Sequence, residues 1–148
     1  MKCAIIMAGG KGTRMKATCP KVMCNVLFEP MISYVVDAVK EAGAEDICVI
    51  TGYKHELLEK YLAEKDEEIE TVLQEPQLGT GHAVMQAQSF IDRHLDDDII
   101  ILNGDGPLID AETINKAFDY HKENDNSITL ISAIVDDTNG IGHIQRDE

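Results

Sequence analysis

Apolar positions along this chain fall into two alternating rhythms. Cys3 to Met7 is a short unbroken apolar run, as expected of a strand covered on both faces. Met31, Ile32, Val35, Val36 and Val39 return at helical spacing, with Pro30 suited to the first helical position and Gly43 to the C-terminal cap. Ile47 to Thr51 predicts a second strand, and Leu57, Leu58, Tyr61 and Leu62 mark a second helix. The alternation continues with a strand at Glu70 to Leu73, a helix at Gly81 to Ile91, and a strand at Asp98 to Leu102 that is apolar on both faces. Asp110 is placed to cap a helix carrying Ile114, Ala117, Phe118 and His121 on one side, and Ile128 to Val135 predicts a last strand.

Strand–helix alternation with continuously apolar strands predicts an α/β domain, a mostly parallel sheet with helices on both faces. At 148 residues the chain has the length of one domain. Sheets of this kind bind ligands beyond the carboxyl ends of their strands, near a switch in strand order. Three segments of chemical interest fall there: Gly9 to Arg14 after the first strand, Gln74 to Thr80 after the third, and Gly104-Asp105 after the fourth. No internal repeat or low-complexity linker interrupts the pattern, and Lys65 to Glu68 and Asp96 to Asp98 read as solvated charged turns.

Charge narrows the partners. A net charge of −14 argues against nucleic acid and against an anionic membrane surface. Yet the first 28 residues hold five basic side chains (Lys2, Lys11, Arg14, Lys16, Lys21) and no acidic one. A cationic segment on an acidic chain suits a small polyanion held at one place; a solvated loop would also carry such a cluster. No apolar run approaches the ~20 residues of a membrane span, and the glycine-rich, basic stretch from Gly9 to Lys16 is unlike a signal-peptide cleavage region. The four cysteines, Cys3, Cys19, Cys24 and Cys48, have neither CxxC spacing nor a histidine at metal-ligand spacing. They are expected to be reduced, which fits a cytoplasmic location.

The segment Ala8-Gly9-Gly10-Lys11-Gly12-Thr13-Arg14-Met15 is a strand-following glycine loop with two basic residues. Glycine lets backbone N–H groups approach an oxyanion closely and admits positive φ, although tight turns use it too. The GxxxxGK[ST] spacing of a Walker A loop is absent, and Met15 stands where a dinucleotide fingerprint would place its third glycine.

The string GGKGTRM, followed by Cys19-Pro20-Lys21, resembles the signature of the nucleoside-diphosphate-sugar pyrophosphorylases, a family of sugar-1-phosphate nucleotidyltransferases. Gln74 to Ala83, QEPQLGTGHA, resembles the matching stretch of the N-acetylglucosamine-1-phosphate uridylyltransferases within it, and Gly104 to Ile109 resembles the family's G-D-x-P-L-I. Asp136 to Ile144 is similar to a family stretch D-D-P-x-G-Y-G-R-I, with Ile141 and His143 in place of Tyr and Arg.

The resemblance implies a Rossmann-like α/β fold and a set of roles. Ala8, Gly9, Gly10, Gly12 and Thr13 would wrap a nucleoside triphosphate, with Arg14 and Lys21 on its phosphates. Gln74, Gln77, Gly79 and Thr80 would recognise uracil, although Thr80 would serve equally as a helix N-cap. Asp105 would hold Mg²⁺, or form an Asp-Gly turn; Asn103 and Gly140 would lie on the sugar side. The implied partners are UTP and a sugar-1-phosphate, and the implied reaction gives UDP-N-acetylglucosamine and pyrophosphate; the alternatives are a catalytically silent nucleotide-binding fragment, or a related pyrophosphorylase using another nucleotide or sugar-1-phosphate. His82 is expected to serve helix packing, and His55, His94 and His121 to be surface or half-buried residues. The family's remaining sugar-site residues and second metal ligand normally lie downstream of Glu148. Residues 1–148 are therefore expected to form the nucleotide-binding part of a catalytic domain. The sheet edge left without its final strands would favour a homo-oligomer.

Overall fold

The computed structural model describes residues 1–12, 18–136, 142, 144 and 145. Four strands, β1 (Lys2–Met7), β4 (Asp46–Thr51), β5 (Glu70–Leu73) and β6 (Asp98–Asn103), form one parallel sheet in the order β5-β4-β1-β6. A small antiparallel ribbon, β2 (Asn25–Val26) with β3 (Glu29–Pro30), precedes the first helix. The helices are α1 (Met31–Glu41), α2 (His55–Lys65), α3 (Thr80–Gln86), α4 (Gln88–Arg93) and α5 (Ala111–Glu123).

Side chains alternate across the strands, so β1 feeds two cores. Ala4 and Ile6, with Val49 of β4, pack under α1, α2 and α5 through Ile32, Val35, Val36, Leu58, Ile114 and Phe118. Cys3 and Ile5, with Cys48 and Ile50, pack under α3 and α4 through Ala83, Ala87 and Phe90. Both faces of the sheet are covered, as the unbroken apolar strands predicted. Among the described residues no helix is long and apolar enough to cross a membrane.

Local signals explain most boundaries. Beyond the α1 C-cap, Gly43 takes φ +85; its N–H bonds Lys40 O at 2.9 Å and the Ala44 N–H bonds Val39 O at 3.0 Å, a Schellman closure. Asp110 caps α5, its carboxylate accepting from Thr113 N at 2.8 Å. Pro30 is not the first helical residue. It sits one position earlier with ψ 147, held extended by its pairing with Asn25 in the ribbon.

Two expectations need larger correction. The helix expected over Gly81 to Ile91 is two helices. At Ala87 the N–H bonds Val84 O at 3.0 Å, and this tightened turn separates α3 from α4 while keeping Ala83, Ala87 and Phe90 on the sheet. Ile128 to Val135 is not a strand: its backbone has no ladder partner among the described residues, and Ile128, Leu130 and Ile134 are exposed. β-Branched composition favours a strand only where another strand receives it. β6 is consequently an edge strand with Ile101 partly exposed, although its sequence is as apolar as that of a buried one.

Candidate active site

The carboxyl ends of β1, β5 and β6 meet at an open cleft of about 280 Å³. Of the residues singled out from sequence, Ala8, Gly9, Gly10, Lys21, Gln74, Gln77, Gly79, Thr80, Asn103 and Asp105 all line it. Thr13, Arg14 and Gly140 lie outside the described residues.

The glycine loop is seated by main-chain geometry. Ala8 N continues the β1–β4 ladder to Ile50 O at 2.8 Å, and Gly9 O accepts from Tyr53 N at 3.1 Å. Gly9 O also accepts from Gln77 Nε2 at 2.5 Å. Gln77, placed by the sequence in the base-recognition set, thus braces the loop from the far wall. Gly12 does not line the cleft. Its φ is +60 and a Cβ there would lie 2.7 Å from Lys21 Cβ, so glycine at 12 is what lets Lys21 pack behind the loop.

Lys21 opens a short 3₁₀ turn, Lys21–Met23, whose Val22 is buried against the core. Its Nζ lies 2.5 Å from Asp105 Oδ2, an ion pair joining positions 84 residues apart. Asp105 is brought there by Gly104, whose N–H bonds Met7 O at 2.9 Å and where a Cβ would meet Ile32 Cδ1 at 2.9 Å. A cation and a carboxylate therefore share the cleft floor, both only about a third exposed. This pair can receive an anion on one side and a hard cation on the other.

The opposite wall is the turn from β5 into α3. Gln74 is buried, with 5% of its surface exposed, and its backbone N–H bonds Thr51 O at 2.9 Å. Its side-chain nitrogen donates to Gly79 O at 3.0 Å and lies 3.1 Å from His82 Nδ1. Gly79 takes φ +102 and is the N-cap residue of α3; Thr80 is the first helical residue, exposed at the rim, so the N-cap reading of Thr80 does not hold. Helix packing, the role the sequence suggests for His82, is joined by this contact with Gln74. The i, i+8 spacing carries no periodic signal, because a turn intervenes.

Beneath the site, Glu59 of α2 accepts from Thr51 Oγ1 at 2.9 Å and lies 3.1 Å from His55 Nδ1. That hydrogen bond raises the His55 pKa above its ordinary value. At the amino-terminal end of the strands, His94 is buried rather than half-exposed. Cys3, His94 and Asp97 place ligand-type atoms within 4.8 Å of one another. These groups engage one another instead: His94 Nδ1 lies 3.3 Å from Cys3 Sγ and 3.0 Å from Asp97 Oδ2, and Asp97 pairs with the terminal ammonium at 2.6 Å. The four cysteines are unbridged, Cys3 and Cys48 in the core.

The chain is similar to known proteins over nearly its whole length. The chain is 42% identical over 145 residues to the bifunctional protein GlmU of Caldanaerobacter subterraneus subsp. tengcongensis, covering 98% of this chain and 31% of that protein. It therefore spans about a third of the length of that curated relative. Among solved structures, a UDP-glucose pyrophosphorylase complexed with UDP-glucose superposes with a TM-score of 0.72 at 24% identity, over 84% of this chain and 54% of the other. A UTP-bound UGPase from Acinetobacter baumannii superposes with a TM-score of 0.65 at 25% identity, over 84% and 54%. The glycine loop, the Lys21–Asp105 pair and the Gln74 wall lie within residues 3–148, which match the family model described as nucleotidyl transferase, and the chain belongs to that family.

Proposed function

We propose that this cleft takes UTP and passes its uridylyl group to N-acetylglucosamine-1-phosphate, giving UDP-N-acetylglucosamine and pyrophosphate. The observation that carries the reading is the state of the Gln74 amide. Its nitrogen is committed to Gly79 O, so Oε1 remains as an acceptor, close enough to Gly9 that a Cβ there would lie 3.1 Å away. Uracil presents N3–H between two carbonyls, whereas cytosine presents a lone pair at N3. An acceptor in the wall suits the first and repels the second. The UTP found with the Acinetobacter baumannii relative is in keeping with this choice.

The remaining groups fit a triphosphate. Gly9, Gly10 and Lys21 line the cleft, where the glycine backbone would flank the triphosphate and Lys21 would supply a point charge for its oxygens. Thr13 and Arg14, outside the described residues, are proposed for the same phosphates, Arg14 as a planar cation. Asp105, partly exposed beside Lys21, fits a Mg²⁺ ion, which would neutralise polyphosphate charge when bound. A sugar-phosphate oxygen attacks the α-phosphorus in line as the bond to pyrophosphate breaks. No covalent nucleophile from the protein is needed, so the chain's own share is positioning and charge neutralisation. Asn103, at the cleft, and Gly140 would face the acceptor sugar, with residues 1–148 supplying the nucleotide side of the domain.

Calorimetric titration of the chain with UTP, CTP, ATP and GTP, each with Mg²⁺, tests the reading. UTP should bind more tightly than CTP by about five- to a hundredfold, because a mispaired buried polar group costs about 1–3 kcal/mol. Equal affinity for all four would overturn it. Pyrophosphate release with UTP, Mg²⁺ and N-acetylglucosamine-1-phosphate reads the transfer step itself.

A further inference from the structure

A glutamine amide is nearly symmetric in shape, so turning it by half a rotation exchanges its oxygen and nitrogen at little steric cost. In one orientation Gln74 presents an acceptor to the cleft and favours uracil. In the other it presents a donor and favours cytosine. Base selection by this residue therefore depends on what holds the amide, not on its presence alone.

Two groups lie behind the Gln74 nitrogen. Gly79 O is 3.0 Å away and also accepts the Ala83 N–H, at 3.0 Å, as part of α3. His82 Nδ1 is 3.1 Å away. The two hydrogens of the amide nitrogen match these two partners, provided that Nδ1 carries a lone pair. The ring proton then sits on Nε2, 3.2 Å from the Gln86 amide nitrogen, which itself donates to His82 O at 3.0 Å. With Nδ1 as acceptor, a turned Gln74 would set its oxygen against two lone pairs and forfeit two hydrogen bonds in a buried position.

Resting on the uracil reading of the cleft, we propose that His82 is a specificity-positioning residue. It is not among the residues that line the cleft and acts through Gln74, holding the amide oxygen toward the base so that N3–H is accepted and a bare N3 is refused. Gly79 O supplies half of the restraint and His82 Nδ1 the other half. Removing the second should leave binding largely intact and erode discrimination.

The test compares three variants of the 148-residue chain, His82→Ala, His82→Leu and His82→Asn, by calorimetric affinities for UTP and CTP. Leucine and asparagine have similar shapes, but only asparagine can return an acceptor near the position of Nδ1. The parent should prefer UTP. His82→Leu and His82→Ala should lower the ratio of CTP to UTP dissociation constants by about fivefold, the equivalent of one neutral hydrogen bond, and His82→Asn should restore most of it. If the ratio stays at the parent value in His82→Leu, or if leucine and asparagine weaken both nucleotides equally, the positioning role is wrong and His82 only packs. Should His82→Ala fail to fold, the leucine–asparagine pair decides alone, since it isolates the acceptor at constant shape. A parent chain with no preference between UTP and CTP would instead sink the uracil reading on which the inference rests.

Discussion

Gly52 is the place where a single methyl group should do the most damage to the site without touching a ligand. It follows β4, and a Cβ built on it would lie 2.6 Å from Gly9 O, 2.7 Å from Gly9 Cα and 2.6 Å from Gln77 Nε2. Carbon contacts are comfortable at about 3.5–4.0 Å, so the Gly9 backbone must retreat by roughly an ångström. Backbone cannot swing aside as a long side chain can. The same carbonyl accepts from Tyr53 N at 3.1 Å and Gln77 Nε2 at 2.5 Å, and both bonds would stretch or break. Two hydrogen bonds at about 1 kcal/mol each, plus about 1–3 kcal/mol of overpacking, give roughly 3–5 kcal/mol. The lower entropy of an unfolded alanine returns about 0.4–1 kcal/mol, leaving a net loss of about 2–4.5 kcal/mol for Gly52→Ala. Urea unfolding should show a lower midpoint at unchanged slope, and calorimetry a weaker affinity for UTP, because the loop that moves lines the cleft. Gly10→Ala is the control: nothing lies within 4 Å of a Cβ there, so stability should hold. If Gly52→Ala unfolds at the parent midpoint, the Gly9 loop is not seated on this turn and the account of how it is held is wrong.

Three further outcomes are expected. Lys21→Ala should weaken UTP binding by about ten- to 150-fold, the equivalent of 1.5–3 kcal/mol for a charge-assisted contact, with an unchanged circular dichroism spectrum; undiminished affinity would remove Lys21 from the phosphate site. Burial pushes the Cys3 thiol up to about 11 and that of Cys48 to about 12, so a disulfide reagent at about pH 8 should label Cys19 first and reach Cys3 and Cys48 only on unfolding. Prompt native labelling of Cys48 would contradict its position in the core. The Thr113 N–H holds the Asp110 carboxyl below its ordinary value of 3.8, so its capping contribution is present above that value and is lost as pH falls through the depressed one. The midpoint difference between the parent and Asp110→Ala should accordingly be widest near neutrality and close on acidification; a difference constant with pH would mean that the carboxylate does not cap α5.

Much of this molecule was legible in one dimension because its determinants are local. The four apolar strands, the Gly43 closure and the Asp110 cap each follow from a few neighbouring residues, where period, φ preference and side-chain reach decide the outcome. The glycine loop and the QLGTGH string likewise pointed to the cleft, since a parallel sheet delivers its strand ends to one side whatever its order. Other features were settled only by what the folded chain brings together. Ile128 to Val135 has the composition of a strand but no ladder to join, and the run expected as one helix bends at Ala87 so that two short helices both reach the sheet. Gln74 and Gln77 read alike in sequence, yet one is buried against Gly79 and His82 while the other is committed to Gly9, 68 residues away. Lys21 and Asp105 announce a cation and a carboxylate separately; their pairing across β1 and β6 is a property of the sheet. Hydrogen bonds fall off within a few tenths of an ångström and depend on which lone pair faces which proton, so their partners are chosen by tertiary placement rather than by residue type.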